Sequence, residues 1–209
     1  MGIDLIIFDF SGTLAFINKA NREDFFAGLA GFDFDVHGEA NIKAFEAVLP
    51  QFFNTAGSWQ DFAEKLSFAC SKNLDNSRLP ALAAFLRASM GFTLYDDAQT
   101  AFDLPARKAI LTAGNRFLTD GLVPKDVEIF TPAETTYLKP DPRAFIFVLE
   151  KMEADHQKTI MVGDEVERDL IPAKSLGIKP ILIDRKNEIE KLPEKIIKID
   201  SLEKLNRYA

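Results

Sequence analysis

The sequence lacks several features that would assign a protein class at once. Its 209 residues include a single cysteine, Cys70, which excludes an internal disulfide and a cysteine metal cluster. No apolar run reaches the roughly 18 residues of a membrane-spanning helix. The first residues show no basic segment followed by a long apolar one, as a signal peptide would. These absences predict a soluble chain that contacts no membrane and lies in a reducing, cytoplasmic setting.

Positive charge is also scarce. Lys and Arg number 25 against 32 Asp and Glu, so the net charge is −7 and the pI is near 5.0. A surface of this sign repels a phosphate backbone on average, which argues against nucleic acid as a partner. Hydrophobic residues make up 47% of the chain, as in a globular protein. The length exceeds one minimal domain but is too short for two full ones.

The hydrophobic pattern changes twice along the chain. Residues 3–8 are apolar and β-branched, which predicts a strand buried on both faces, with a turn at 9–14. From about 15 to 92, apolar residues recur at steps of three and four, which predicts four amphipathic helices. After residue 93 the pattern predicts strands that alternate with helices: strands at 109–112, 127–130, 159–162, 180–183 and 195–199, and helices at 141–152 and 169–176.

This order of elements predicts an α/β protein. Strands that alternate with helices form a Rossmann-like parallel sheet with helices on both faces. Since one strand precedes the helical block, the helices at 15–92 are inserted into a core domain made of 1–14 and 93–209. Of the 19 Phe residues, 12 lie at 16–92. There they would either build the core of a small helical domain or form an apolar face toward a substrate.

Polar residues follow the predicted strands at the edge where a parallel sheet carries its reactive groups. Asp9 and Asp164 each end an apolar strand, and two carboxylates brought together repel unless a cation lies between them. All-oxygen ligation suits Mg²⁺, and a carboxylate can attack phosphorus to form an aspartyl-phosphate. Thr112 offers a hydroxyl, and the loop after it offers backbone N–H groups for phosphate oxygens. Lys139 adds a positive charge for a phosphoryl group.

The order of these residues resembles the four motifs of the haloacid dehalogenase (HAD) superfamily. The matching segments span the whole chain: Asp9-Phe10-Ser11-Gly12-Thr13-Leu14, then Thr112, then Lys139-Pro140-Asp141-Pro142, then Gly163-Asp164 with Asp169 five residues later. The resemblance implies a Mg²⁺-dependent hydrolase, in the first place a phosphatase of a small phosphorylated metabolite. It also implies that 15–92 is a helical cap that closes over the substrate.

The resemblance further implies roles for single residues. Asp9 would be the nucleophile and a Mg²⁺ ligand, Ser11 would give its backbone carbonyl to the metal, and Asp164 would bind the same ion. The phosphate would be held by the hydroxyl, loop and ammonium groups of Thr112, Ala113 and Lys139. Supporting contacts are expected from Thr13, Asn115 and Asp169.

Ser11 departs from the family pattern. Family phosphatases usually carry a second Asp there, which protonates the leaving oxygen and then activates water. A serine hydroxyl is a poor general acid at neutral pH, and general acid–base catalysis is typically worth about 10²–10⁴-fold. The metal contact through the backbone carbonyl would survive the change.

Other interpretations therefore stay open. A weakly active or inactive member would bind a phosphorylated ligand or a protein partner without turning it over. Hydrolysis of a C–halogen bond is disfavoured because motif two, Leu111-Thr112-Ala113-Gly114-Asn115, lacks the usual Ser-Asn pair. Hydrolysis of a C–P bond would need a cap lysine that forms a Schiff base, and the lysines available there are Lys19, Lys43, Lys65 and Lys72.

Overall fold

The computed structural model describes residues 2–71 and 75–209. Within these ranges the chain divides into two compact units. The larger unit comprises residues 2–16, Thr93–Arg116 and Gly121–Ala209, and the smaller, helical unit comprises Ile17–Phe92 and Phe117–Asp120. Nowhere in the described ranges is a helix both long and apolar enough to cross a bilayer.

The strands of the described residues form two sheets. In chain order they are β1 (Leu5–Phe8), β2 (Ala15–Ile17), β3 (Phe92–Leu94), β4 (Arg107–Leu111), β5 (Glu128–Phe130), β6 (Thr159–Gly163), β7 (Lys179–Ile183) and β8 (Ile197–Ile199). The main sheet has the order β5-β4-β1-β6-β7-β8, and every neighbouring pair in it is parallel. β2 and β3 pair separately. The predicted α/β class with a Rossmann-like parallel sheet is confirmed.

The helices of the described residues fall into two groups. Those of the smaller unit are α1 (Arg22–Ala30), α2 (Glu39–Thr55), α3 (Trp59–Cys70) and α4 (Leu79–Met90). Those of the larger unit are α5 (Ala98–Phe102), α6 (Pro132–Thr135), α7 (Pro142–Lys151) and α8 (Ile171–Ser175). Pro142 and Pro172 lie in the first turns of α7 and α8, where a missing N–H costs nothing.

The core of the larger unit explains why β1 lies centrally. All four of its residues are fully buried, as expected for a strand with neighbours on both sides and layers on both faces. Leu5 and Ile7 point to one face, because side chains alternate along a strand. There they share a cluster with Phe145 and Val148 of α7. This packing fixes the position of the residue that follows β1.

One predicted element differs in kind from the structure. The helix predicted at 169–176 is split into a π-helical turn, Val166–Leu170, and the short helix α8. The wider turn places Asp169 in the interior with 0% exposure. Periodicity at 3.6 residues cannot detect such a turn, and π-helical turns are frequent at functional sites.

The helical unit is built largely from Phe side chains. Among its described residues, Phe26, Phe34, Phe45 and Phe62 are buried in one cluster, and further Phe rings pack against them. Phe117 belongs to the same cluster and lies 5.1 Å from the Trp59 ring. For this reason Phe117–Asp120, assigned from sequence to the larger domain, packs with the helical unit instead. The role of this unit as a cap stays a prediction.

Candidate active site

The residues that follow the central strands lie at one edge of the main sheet. β1 pairs with β4 on one side and β6 on the other, so Phe8 is opposite both Ile110 and Val162. Asp9 continues β1, and its backbone N–H donates to the Val162 carbonyl at 2.9 Å. Thr112 and Asp164 follow β4 and β6 at the same edge, which is where open α/β sheets bind their ligands.

Lys139 joins two of the buried carboxylates. Its Nζ lies 2.5 Å from Asp9 Oδ1 and 2.7 Å from Asp169 Oδ1. The side chains of Lys139 and Asp169 are 4% and 0% exposed. Burial alone would lower the pKa of Lys139, but the charges of Asp9 and Asp169 outweigh burial and raise it. Lys139 is therefore a fixed cation at the floor of the site.

Negative charge nevertheless exceeds positive charge in this cluster. Carboxylate oxygens of Asp9, Asp164 and Asp169 all lie within 4.8 Å of one another, and Lys139 supplies one positive charge. Burial raises the pKa of Asp164 to about 7, and the charges of Asp9 and Asp169 add to the rise. Burial also raises the pKa of Asp169, although Lys139 offsets part of the effect. A hard divalent cation with oxygen ligands fits this excess of carboxylate.

The carboxylates of Asp169 and Asp164 differ in their hydrogen-bond partners. Asp169 is committed to Lys139 and also accepts a hydrogen bond from the Glu165 N–H at 3.2 Å. Asp164 accepts one from Thr13 Oγ1 at 3.3 Å. The predicted roles of Asp9 and Asp164 as metal ligands and of Asp169 as a supporting residue stay predictions.

Gly12 lets the loop after β1 approach Asp164 closely. Its φ is +83°, a conformation that glycine adopts at little cost. A Cβ on Gly12 would overlap the Asp164 carboxylate, and one on Gly163 would overlap Asp169. Sequence analysis used both glycines only as parts of motifs. The close approach explains why glycine is needed at each position.

A family model described as haloacid dehalogenase-like hydrolase matches residues 3–177. The chain belongs to this family. Its enzyme class is therefore hydrolase, and the resemblance inferred from the four motifs is confirmed.

A curated HAD relative matches locally. A phospholysine phosphohistidine inorganic pyrophosphate phosphatase from Xenopus laevis is 38% identical over 45 residues, which are 22% of this chain. The match spans only 17% of that protein's length. The activity in its name is therefore that relative's own and is not assigned to this chain.

Solved structures resemble the whole HAD chain. A 2-haloacid dehalogenase from Pseudomonas syringae is 19% identical, covers 98% of this chain and 97% of its own, and has a TM-score of 0.63. A HAD phosphatase from Thermococcus onnurineus has the same identity and coverage, with a TM-score of 0.62. A HAD hydrolase from Bacillus subtilis bound to magnesium is 18% identical, with 99% and 98% coverage and a TM-score of 0.58. At these identities the likeness shows the fold alone.

The remaining predicted HAD residues lie on two loops. Ser11 is exposed, one residue before Gly12, and forms an isolated bridge with Ala15. Thr112 is buried, and its Oγ1 accepts a hydrogen bond from the Gly114 N–H at 3.1 Å. Ala113 is exposed and Asn115 is half-buried on the same loop. The phosphate-binding and supporting roles of Thr112, Ala113 and Asn115 stay predictions.

Sequence analysis missed one polar network at this edge. Arg185, two residues beyond β7, binds Asp97 through two hydrogen bonds and donates a third to the Thr13 carbonyl. The rule that pointed to Asp9 and Asp164 also applies to the end of β7. Arg185 was overlooked because it matches no motif.

Proposed function

We propose that this HAD hydrolase is a Mg²⁺-dependent phosphatase of a small phosphorylated metabolite, with Asp9 as nucleophile. The single observation that carries the proposal is the buried cluster in which Lys139 bonds to Asp9 while Asp164 and Asp169 complete an excess of negative charge. Such an excess of carboxylate suits a divalent cation, and the cation together with Lys139 would balance the negative charge that a phosphoryl group brings.

In the first step a carboxylate oxygen of Asp9 attacks phosphorus and the P–O bond to the leaving group breaks. Lys139, held by Asp169, orients Asp9 and balances charge on the phosphoryl oxygens. The Thr112 hydroxyl and the N–H groups of its loop bind the phosphate. Asp9, Asp164 and the Ser11 carbonyl would hold Mg²⁺, which would supply further charge neutralisation.

In the second step water attacks phosphorus of the aspartyl-phosphate, which releases inorganic phosphate and regenerates Asp9. Both steps require a proton transfer at an oxygen atom. Ser11 stands where a carboxyl would perform this transfer, and its hydroxyl cannot do so at neutral pH. Solvent water must then donate the proton to the leaving oxygen in the first step and accept one from the attacking water in the second. We therefore expect turnover below that of a phosphatase with a carboxyl at this position, by up to about 10²–10⁴-fold.

A screen of phosphate esters in the presence of Mg²⁺ tests the proposal. Wild-type protein should release inorganic phosphate, chelation of Mg²⁺ should stop the release, and Asp9→Asn should abolish it. Glu167→Gln is the matched control, because Glu167 is an exposed carboxylate at the same sheet edge but outside the cluster. A wild type that hydrolyses none of the esters contradicts the phosphatase assignment.

A second candidate is a HAD protein that binds a phosphorylated ligand or a protein partner with little or no turnover. Ser11 is the observation that favours it, since the position holds an exposed hydroxyl in place of a carboxyl. The same screen separates the two candidates. Saturable binding of a phosphate ester without phosphate release would favour the binding protein.

Hydrolysis of a C–P or C–halogen bond is the third candidate. A Schiff-base lysine would need a free amine, but Lys65 Nζ bonds to Asp61 Oδ2 at 2.7 Å and to the Thr55 carbonyl at 2.8 Å. Lys19 and Lys43 are exposed, and Lys72 lies outside the described residues. Borohydride trapping of a lysine adduct with a phosphonate substrate would favour C–P hydrolysis.

Two further predictions belong to this proposal. The helical unit would act as the cap that shields the substrate, and the protein would work in the cytoplasm. Neither prediction bears on how Asp9 and Lys139 act.

A further inference from the structure

Arg185 is locked in place by the residues around it. Its Nη1 and Nη2 each lie 2.9 Å from an oxygen of Asp97, and its guanidinium carbon lies 3.6 Å from the centre of the Tyr95 ring. Asp97 also accepts hydrogen bonds from Ser201 Oγ and from the Leu202 N–H, each at 2.9 Å. Four donors therefore converge on one carboxylate, and the guanidinium has little freedom to move.

This locked cation contacts the loop after β1. Arg185 Nη2 donates to the Thr13 carbonyl at 2.7 Å, and the Tyr95 N–H donates to the next carbonyl, that of Leu14, at 3.0 Å. Thr13 is fully buried, and its Oγ1 donates to Asp164 Oδ1. Thr13 thus links Arg185 to Asp164, because its carbonyl oxygen accepts a hydrogen bond from Arg185 and its side chain donates one to Asp164.

Most of the Arg185 guanidinium is committed to oxygen atoms of the protein. Both of its terminal nitrogens donate to protein oxygens, and its Nε is buried without a hydrogen-bond partner among the described residues. Its charge is balanced by Asp97, whose own burial would raise its pKa but whose hydrogen bonds lower it instead. Three of the five N–H groups of Arg185 are thus used within the protein, and its Nε is buried away from solvent.

We propose that Arg185, anchored by Asp97, is a positioning residue for the metal site, which it serves by fixing the Ser11–Thr13 loop against Asp164. The proposal rests on the proposed function in one respect, namely that Asp164 and the Ser11 carbonyl bind a divalent cation. Residues that orient metal ligands from outside the coordination sphere typically change metal affinity by about 10–100-fold when substituted.

The test is the affinity for Mg²⁺ alone, measured by isothermal titration calorimetry. In Arg185→Lys a single ammonium group replaces the planar guanidinium. It cannot bind both oxygens of Asp97 and the Thr13 carbonyl at the same time. We expect the Mg²⁺ dissociation constant to rise by about 10-fold or more. Unchanged affinity in a folded Arg185→Lys protein would overturn the proposal.

Arg143→Lys is the matched control. Arg143 also chelates an aspartate, Asp141, and lies over a tyrosine ring, Tyr137, at 4.1 Å. Among the described residues, this pair forms hydrogen bonds within itself and none with the Ser11–Thr13 loop. Mg²⁺ affinity should be unchanged in Arg143→Lys, and an equal loss in both variants would overturn the proposal.

Asp97→Asn keeps the test decisive if Arg185→Lys folds poorly. It leaves Arg185 able to reach the Thr13 carbonyl but weakens its anchor, so Mg²⁺ affinity should fall in the same direction. The double variant should lose no more affinity than Arg185→Lys alone, because both changes act through one contact. Fully additive losses would contradict this account.

Calorimetry tests the positioning role of Arg185, whereas phosphate release tests the phosphatase assignment. A wild type that binds Mg²⁺, loses affinity in Arg185→Lys and yet releases no phosphate contradicts the phosphatase assignment alone. A wild type that releases phosphate and whose Arg185→Lys variant binds Mg²⁺ normally contradicts the positioning role alone.

Discussion

Lys139 Nζ lies 2.5 Å from Asp9 Oδ1, and both side chains are almost wholly buried. The two residues are 130 positions apart in sequence, one directly after the central strand and the other on the loop before α7. Burial of a cation or a carboxylate alone carries a large desolvation cost, which is offset when the two charges pair with each other. This pairing orients the Asp9 carboxylate and has consequences that can be measured.

Removal of the cation should destabilise the protein strongly. Lys139→Met leaves Asp9 and Asp169 buried without their counter-charge, which should cost about 3–5 kcal/mol in free energy of unfolding. Lys204→Met is the control, because Lys204 pairs with Asp200 where both side chains are about half exposed, and it should cost at most about 1 kcal/mol. Urea unfolding in the presence of a chelator measures both losses. Similar losses would contradict the buried pair.

Stability without metal should depend on pH through Asp164. Its pKa is about 7 in the folded protein against 3.8 ordinarily, so between these values the folded state holds a proton that the unfolded chain has lost. This contribution to stability is complete below about pH 4 and is lost as the pH rises to about 7. In a chelator, Asp164→Asn should flatten the fall of the melting temperature across this window.

Glu167→Gln is the control for that measurement, because Glu167 is exposed three residues further along. Its pH profile should match that of the wild type. A melting temperature that falls by the same amount from pH 4 to pH 7 in all three proteins would contradict the assignment to Asp164.

A carboxyl in place of Ser11 should raise turnover. Ser11→Asp adds the group that can protonate the leaving oxygen. The turnover number should rise by at most the roughly 10²–10⁴-fold that general acid–base catalysis typically supplies. Ser11→Ala keeps the backbone carbonyl and should leave turnover unchanged. Steady-state phosphate release checks both variants. No gain in Ser11→Asp would mean that another group already transfers the proton.

A methyl group on Gly12 should weaken the metal site. Gly12→Ala places a Cβ against the Asp164 carboxylate and strains a backbone with φ of +83°. Gly38→Ala is the matched control, because its φ is +79° but nothing lies within 4 Å of the added Cβ. Both should lose roughly 1 kcal/mol of stability from the backbone, but only Gly12→Ala should lose Mg²⁺ affinity. Equal Mg²⁺ affinity in both variants would contradict the close approach.

The sequence predicts the fold and most of the candidate site for physical reasons. Buried parallel strands are nearly all apolar, so the ends of β1, β4 and β6 are visible as the points where Asp9, Thr112 and Asp164 begin. The order of the four motifs then places Lys139. Local patterns can indicate each of these residues without knowledge of its partners.

The rest depends on contacts that no local pattern encodes. The π-helical turn lets Asp169 bond to Lys139, 30 residues earlier, and the link from Asp97 through Arg185 to Thr13 joins segments still further apart in the chain. Phe117 joins the helical unit because its ring packs on Trp59. These contacts arise from tertiary packing, and single-sequence periodicity does not report them.

Chemical trapping at Asp9 tests the central claim most directly. The protein is incubated with Mg²⁺ and a phosphate ester that it hydrolyses, quenched in acid and treated with borohydride, which reduces an acyl phosphate to the alcohol. Peptide mass spectrometry should then find homoserine at position 9 only when substrate was present. Efficient phosphate release with Asp9 unmodified at every quench time would contradict the account.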